Sequence, residues 1–256
     1  MVTATLLGMA IAACSLLATM LLEGSSPMAI VLVPPLILVF GGTFGAAIAG
    51  STLADIRRIG EWFRLAFAPE RVARNQKLVA VLIELATHAR KEGMLPLEKH
   101  ARKVEDPFLR HGLQMAIDGV PVELLRTVLE DEITAQRTDD RVAARFFARM
   151  GAYAPTVGII GTVVGLVQVL QSLENVEVLG PLVATAFVAT LWGVLSANFI
   201  WLPMSSKIRR NSDLRAAEMN VLMEGVTEIL AGTNPRALRV RLQSMLPPSE
   251  VRTPAA

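Results

Sequence analysis

The sequence predicts an all-α membrane protein: four transmembrane helices, a helical cytoplasmic domain between spans 2 and 3, and a helical C-terminal tail. Three observations carry that fold class. Leu6–Leu22, Met28–Ala49 and two runs between Arg149 and Ser206 are apolar and close to bilayer-crossing length. All 25 Lys and Arg fall in two blocks, Arg57–Arg149 and Lys207–Arg252. Between the apolar runs, Leu, Ala, Arg and Glu dominate without the alternation that marks strands. The boundaries drawn from these patterns are 1–52 (first hairpin), 53–148 (cytoplasmic domain), 149–204 (second hairpin) and 205–256 (tail).

Composition agrees. Hydrophobic residues make up 52% of the 256 and charged residues 19%, which suits a membrane protein with a sizeable aqueous part. The net charge of +2 conceals the segregation of basic residues, so the basic pI reflects topology and not nucleic acid binding. One cysteine, Cys14, excludes a disulfide framework. No Lys or Arg and no small-residue cleavage site accompany the first apolar run, so a removed signal peptide is not expected.

In the first hairpin, Glu23-Gly24-Ser25-Ser26-Pro27 separates the two runs. Pro34 and Pro35 are read as lying inside the second span, tolerated where neighbouring groups satisfy the freed carbonyls. Gly41 and Gly45 have the small-residue spacing that lets helix backbones approach. The connectors 23–28 and 173–180 lack Lys and Arg, whereas Arg57, Arg58, Arg145, Arg149, Lys207, Arg209 and Arg210 lie near span ends. The positive-inside rule then puts both termini and the middle domain in the cytoplasm.

The cytoplasmic block reads as helices. Leu78, Val81, Leu82 and Leu85 recur at helical spacing across Arg71–Lys91, and Gly93 follows as a C-cap. Pro96 starts a short helix over Leu97–Val104. Asp106-Pro107 forms an N-cap and first-turn pair opening Phe108–Ile117. Pro121 opens a helix that meets no breaker before the third span and so continues into it. In the tail, Met219, Leu222, Met223, Val226, Ile229 and Leu230 form an apolar stripe needing a partner, for which the 122–150 helix is nearest. Gly232-Thr233-Asn234-Pro235 ends that helix, Arg236–Leu246 makes a short basic one, and the proline-containing end is expected to be disordered.

Between Arg149 and Lys207 the only charges are Glu174 and Glu177. Pro155 and Thr162, seven residues apart, share a helix face, and Ala186, Thr190, Gly193 and Ala197 make a small-residue stripe. Two such faces would leave room for a foreign helix whose polar group the two hydroxyls could meet. Each threonine also has the plain option of bonding the carbonyl four residues back. Pro155 removes one helical hydrogen bond and marks either a fixed kink or a hinge. Enzyme chemistry finds little support. His88, His100 and His111 stand about three turns apart along helices, with no metal-ligand spacing. No strand precedes a glycine-rich loop, and Ser205, Ser206 and Lys207 sit at a span exit where Lys anchors a helix. No metal or cofactor is expected.

With these elements in place, the chain resembles the MotA family, the ion-channel subunit of the bacterial flagellar stator. The resemblance rests first on Ala154-Pro155-Thr156-Val157-Gly158-Ile159-Ile160-Gly161-Thr162-Val163-Val164-Gly165-Leu166. Ala189-Thr190-Leu191-Trp192-Gly193, Ala197-Asn198 and Pro203 follow in the fourth span. Leu21-Leu22-Glu23-Gly24, Phe40-Gly41-Gly42-Thr43, Arg90 through Glu98, Asp118-Gly119, Glu224-Gly225 and Asn234-Pro235 match in order.

The resemblance implies a ring of five copies in the bacterial inner membrane, surrounding two copies of a MotB-like partner. That partner has one span carrying an Asp and a domain that grips peptidoglycan; the ring pushes on the rotor protein FliG. It implies that Thr162 and Thr190, with Ala189, line the ion path, that Pro155 and Pro203 couple ion flow to motion, and that Arg90 and Glu98 contact the rotor. Gly158, Gly161, Gly165 and Gly193 are read as helix-packing positions. Sodium-driven, PomA-like relatives have a Thr-Thr pair where this chain has Ala189-Thr190, so protons are the expected ion. A TolQ/ExbB-like energiser of envelope transport is the alternative, disfavoured by the N-terminal hairpin. The residues independently agree on one point: no Asp, Glu, His, Lys or Arg lies in the interior of a predicted span, so a proton carrier must come from another chain.

Overall fold

The computed structural model describes residues 4–69 and 75–247, and every regular element among them is helical. Helix α1 spans Ala4–Leu22 and α2 spans Val33–Ala49; α3 is Leu53–Phe67 and α4 is Asn75–Glu92. After a 3-10 turn at Leu95–Leu97 come α5, Glu98–Ala101, and α6, Pro107–Ile117. Helix α7 is Val122–Gln171, α8 is Val176–Leu230 and α9 is Pro235–Ser244. The chain forms two compact units: Met1–Glu70 with Asp140–Arg210, and Arg71–Asp139 with Asn211–Ala256. Helices α7 and α8 contribute to both.

Two helices, α7 and α8, are long and apolar enough to cross a membrane; α1 and α2 are shorter apolar helices. In the first unit no described side chain of α1 is buried, and Leu7, Ile11 and Leu21 are more than half exposed. Ile159, Ile160, Val163 and Leu170 on α7 and Phe187 on α8 are likewise exposed. So many bare aliphatic side chains are untenable in water and belong against lipid or another chain. The buried part of this unit lies where Ile59, Trp62 and Ala66 of α3 meet Phe146, Phe147 and Met150 of α7 and Trp201, Met204 and Ile208 of α8. Its rings meet mostly edge to face: Phe44 with Phe146 at 6.2 Å and 88°, Phe63 with Phe147 at 5.2 Å and 87°.

The helix of the second apolar run begins later than its hydropathy suggests. Pro27–Ile30 is a separate 3-10 turn, and α2 starts at Val33. Pro34 and Pro35 therefore occupy its first turn, where an N–H has no helical partner to lose, and not its interior. A π-helical turn follows at Ile37–Gly41. Gly41 and Gly45 face open space, contrary to the close approach their spacing suggested; the tight glycine of this helix is Gly42, where a Cβ would lie 2.9 Å from Val157 Cγ1.

Helix α3 was not delimited from the sequence, although its start is written there. Thr52 accepts a hydrogen bond from the Asp55 N–H (3.2 Å), and Asp55 accepts one from the Thr52 N–H (3.0 Å), a reciprocal capping box. At the other side of that turn, Arg149 donates to the Gly50 carbonyl and to Ser51 Oγ, compensating the negative end of α2.

The second unit packs α4, α6, α9 and the adjoining stretches of α7 and α8 around Leu82, Leu109, Leu113, Leu125, Leu129, Leu222, Val226, Leu238 and Leu242. The stripe of α8 thus meets α4, α6 and α9 as well as α7. Crowding is close: a Cβ on Gly225 would fall 2.5 Å from Leu82 Cδ1. Helix α4 ends with Gly93 at φ +87°, a conformation that accommodates glycine and lets the chain turn sharply. Arg71–Arg74 of the expected helix, and the proline-rich residues after Pro247, lie outside the described residues. The short helix expected to Val104 stops at Ala101.

Asp106 does two jobs in this unit. It caps α6 by accepting from the Phe108 and Leu109 N–H groups (3.0 and 3.1 Å), and it pairs with Arg215 of α8 (2.6 Å). Burial pushes its carboxyl up, but bonds from Arg215, Leu109 and Phe108 together with the Arg215 charge outweigh that and hold it below 3.8. Because the folded value is depressed, the stabilisation is present above the unfolded pKa and disappears as pH falls through the folded one. Asp106→Ala is expected to cost about 2 kcal/mol, combining a lost cap with an unpaired arginine. Asp106→Asn should keep the cap and lose less. Hydrogen exchange across 107–117 at neutral pH and below pH 4 checks both, and unchanged protection in the Ala variant would refute the assignment.

Candidate functional site

The site is built where the lower-numbered end of α8 runs beside the last turns of α7. Glycine and alanine at these positions remove the side chains that normally hold helix axes apart, so backbone meets backbone. A Cβ on Gly158 would lie 2.9 Å from Ala189 O and 3.1 Å from Thr190 Cα. On Gly161 it would be 2.6 Å from the Ala189 methyl, and on Gly165 2.6 Å from that of Ala186. Gly193 faces Gly158 directly, with Ala154 O only 2.7 Å from where its Cβ would be.

This changes one expectation. The small-residue faces of the two helices do not leave a slot for a foreign helix; they close on each other. Ala186, Ala189 and Ala197 are buried, with Ala189 wedged against Gly161. Any outside helix must approach from the partly open side, where Thr162 and Thr190 are half-buried.

The two threonines form a hydroxyl pair within that seam. Their Oγ1 atoms are hydrogen-bonded to each other. Thr162 Oγ1 also lies 3.1 Å from Ala186 O across the pair and 3.3 Å from Gly158 O, four residues back. Thr190 Oγ1 reaches Gly158 O at 3.2 Å. Four contacts share two hydroxyl protons, so only two can be occupied as donations at once. The protons can be redistributed without moving a heavy atom, and any assignment leaves Thr162 Oγ1 with a lone pair to receive a donor from outside.

Both prolines lie along this assembly. Helix α7 passes through Pro155 without interruption, leaving the Gly151 carbonyl without its usual partner. Pro203 comes just after a π-helical turn, Ala197–Trp201, in which the Leu202 N–H bonds Ala197 O. Widening the turn relieves the clash a proline ring makes with the carbonyl four residues back. Trp192 has a clear structural part: its indole N–H donates to Ile30 O (2.6 Å) at the end of the 3-10 turn before α2. Its ring stands 5.9 Å from Phe40. A tryptophan beside a glycine in a buried stripe is the sequence signal for such a tie.

In the other unit, Arg90 is exposed at the end of α4, and Glu98 opens α5, paired with Arg102 at 2.6 Å. The turn at Gly93–Leu97 also folds His88 and His100 into a stacked pair, ring centroids 4.3 Å apart, which their linear separation did not suggest. His88 Nδ1 lies 3.2 Å from Glu92 and His111 Nδ1 3.1 Å from Glu132. No set of three metal-ligating side chains occurs among the described residues.

Fold and site together define a helical membrane protein with a charge-free, close-packed helix pair and no titratable group of its own at that seam. Residues 100–221 match the MotA/TolQ/ExbB proton channel family. Motility protein A of Bacillus subtilis is 32% identical over 243 residues, 95% of this chain and 90% of that protein. The chain belongs to this family, with the motility proteins. Among solved structures, C. jejuni MotAB superposes with a TM-score of 0.92 at 26% identity, covering 99% of each chain. The flagellar MotAB stator complex from Bacillus subtilis gives 0.89 at 32%, covering 96% of each.

Proposed function

We propose that this chain is the stator subunit of a flagellar motor, converting ion flow, with protons as the ion, into torque. The observation that carries the reading is near full-length similarity to a motility protein A and to two stator structures. In this reading the apolar helices make four spans in the bacterial inner membrane, with both termini cytoplasmic, the side the basic blocks favour. Five copies surround two copies of a MotB-like partner. The partner supplies the membrane Asp that this chain lacks, and Thr162 Oγ1 accepts from that Asp when it is protonated. Pro155 and Pro203 transmit the resulting change to the cytoplasmic unit, which pushes on FliG.

The reading is tested by deleting the gene. Flagella should assemble at normal number and stand still, and the wild-type gene should restore rotation; normal swimming without it, or loss of the filaments, overturns the reading. Replacing sodium with potassium should leave rotation unchanged, whereas arrest would make sodium the ion.

Arg90 and Glu98 provide a separate check on the rotor contact. Arg90→Glu should abolish swimming while the complex still assembles, and a complementary reversal on the rotor should restore part of it. Glu98→Lys is expected to act less cleanly, because Glu98 already has Arg102 beside it. Normal swimming by both variants would reduce these charges to a solvated face.

A further inference from the structure

The first unit holds a cavity of about 590 Å³ lined by Thr52, Asp55, Val142, Arg145, Ala148, Arg149 and Ala152. That volume suits a small-molecule headgroup. Its wall has two parts. Arg145 and Arg149, one helical turn apart on α7, supply two guanidinium groups on one face. Val142, Ala148 and Ala152 supply an apolar surface beside them.

The partners of these arginines differ. Arg149 is engaged by the Gly50 carbonyl and Ser51 Oγ. Arg145 is exposed and makes one weak bond, to Arg141 O at 3.4 Å in its own helix. Arg145 is therefore the group with donors to spare. Asp55 stays ionised: hydrogen bonds from the Thr52 backbone and side chain, then the charges of Arg149 and Arg58, hold it below its ordinary value. Two arginines and one carboxylate leave the lining at net +1.

Location narrows the ligand. Arg149 is the last basic residue before an unbroken stretch free of Lys and Arg that runs to Lys207. Gly50–Thr52 is where the apolar α2 gives way to α3, an amphipathic helix that buries Ile59, Trp62 and Ala66 and leaves Leu53 80% exposed. Such a helix following an apolar one lies at headgroup depth. The geometry points to a binding site for the phosphodiester of an anionic phospholipid, held by Arg145 with Arg149 alongside, with the headgroup against Val142 and the acyl chain leaving past Ala148 and Ala152 toward the apolar end of α7. Guanidinium suits this because its fork of donors matches two phosphate oxygens. A lining of net +1 favours a headgroup of net charge −1 over a zwitterionic one, whose phosphate would come with a cation.

The inference depends on the bilayer placement of the apolar helices but not on the motor reading. Flotation of the full chain with membrane vesicles tests that placement separately. The experiment is native mass spectrometry of the full-length protein in detergent doped with phosphatidylglycerol or phosphatidylcholine. Wild type should retain phosphatidylglycerol preferentially, and Arg145→Gln should cut retention at least fivefold without changing oligomeric state. Asp55→Asn should retain as much or more. Equal retention by wild type and Arg145→Gln, or equal retention of the two lipids, overturns the proposal. So would displacement of the lipid by excess glycerol phosphate, which would indicate a soluble phosphate ligand. If Arg145→Gln instead dissociates the oligomer with lipid retention unchanged, the cavity is a contact between copies.

Discussion

Gly193→Ala is expected to abolish swimming and to destabilise the α7–α8 seam by about 3 kcal/mol, the upper end of what overpacking usually costs. The reason is what the new methyl meets. At some crowded glycines the neighbour is a side-chain tip that can rotate away, as Leu82 can beside Gly225. At Gly193 the neighbours are the Ala154 carbonyl at 2.7 Å and Gly158 Cα at 3.1 Å, both backbone. Only separation of the helices accommodates the methyl, and separation also pulls Thr190 from Gly158 O. Gly158→Ala should act alike, since Ala189 O and Thr190 Cα confront it. Gly45→Ala, on the open side of α2, serves as the control and should behave as wild type. Thermal unfolding in detergent and swimming assays read the effect together. Wild-type stability and motility in Gly193→Ala would show that the helices are held apart in the working assembly.

How far the sequence discloses all this depends on the kind of interaction. Helix positions were legible at most local caps: Asp106-Pro107 opens α6, Gly93 closes α4, and the missing breaker before residue 150 makes α7 one rod, whereas the Thr52–Asp55 box that opens α3 is masked by its place directly after an apolar run. Local signals failed where two patterns overlap. Met28–Ile30 is apolar enough to read as span, yet Pro27 and the paired Pro34-Pro35 fix a 3-10 turn and a fresh helix start. Glycine identity alone could not say which glycines are crowded. Gly41 and Gly45 have the i, i+4 spacing of a packing motif but meet nothing, while Gly42 between them meets Val157, because helix rotation is set by tertiary packing. The same limit hid the stacked His88–His100 pair, which exists only because the turn after Gly93 reverses the chain. At the site, residue types were legible and partners were not. Thr162 and Thr190 stood out as rare hydroxyls in apolar helices, but nothing in one dimension shows that they bond each other, or that the small-residue stripes beside them close on one another.

Thr190→Val follows from that pairing and has the second large expected effect. Valine matches threonine in shape, so the seam should still close. The loss is one hydroxyl that donates to Gly158 O or to Thr162, for about 1 kcal/mol of stability. If the pair's exchangeable protons serve ion passage, the functional loss should be far larger than that. Swimming speed and ion-dependent torque are expected to fall at least tenfold, a change worth about 1.4 kcal/mol or more in the rate-limiting barrier. Thr190→Ser keeps the hydroxyl and should recover most of the function despite losing a methyl contact. Thr162→Val should be similarly severe, because it removes the oxygen left free to accept a donor from outside, although its Gly158 and Ala186 contacts suggest a greater loss of stability. The decisive comparison is between valine and serine at position 190. If Val swims like wild type, or if Ser is as impaired as Val, the hydroxyl pair only fastens two helices together and the ion passes elsewhere.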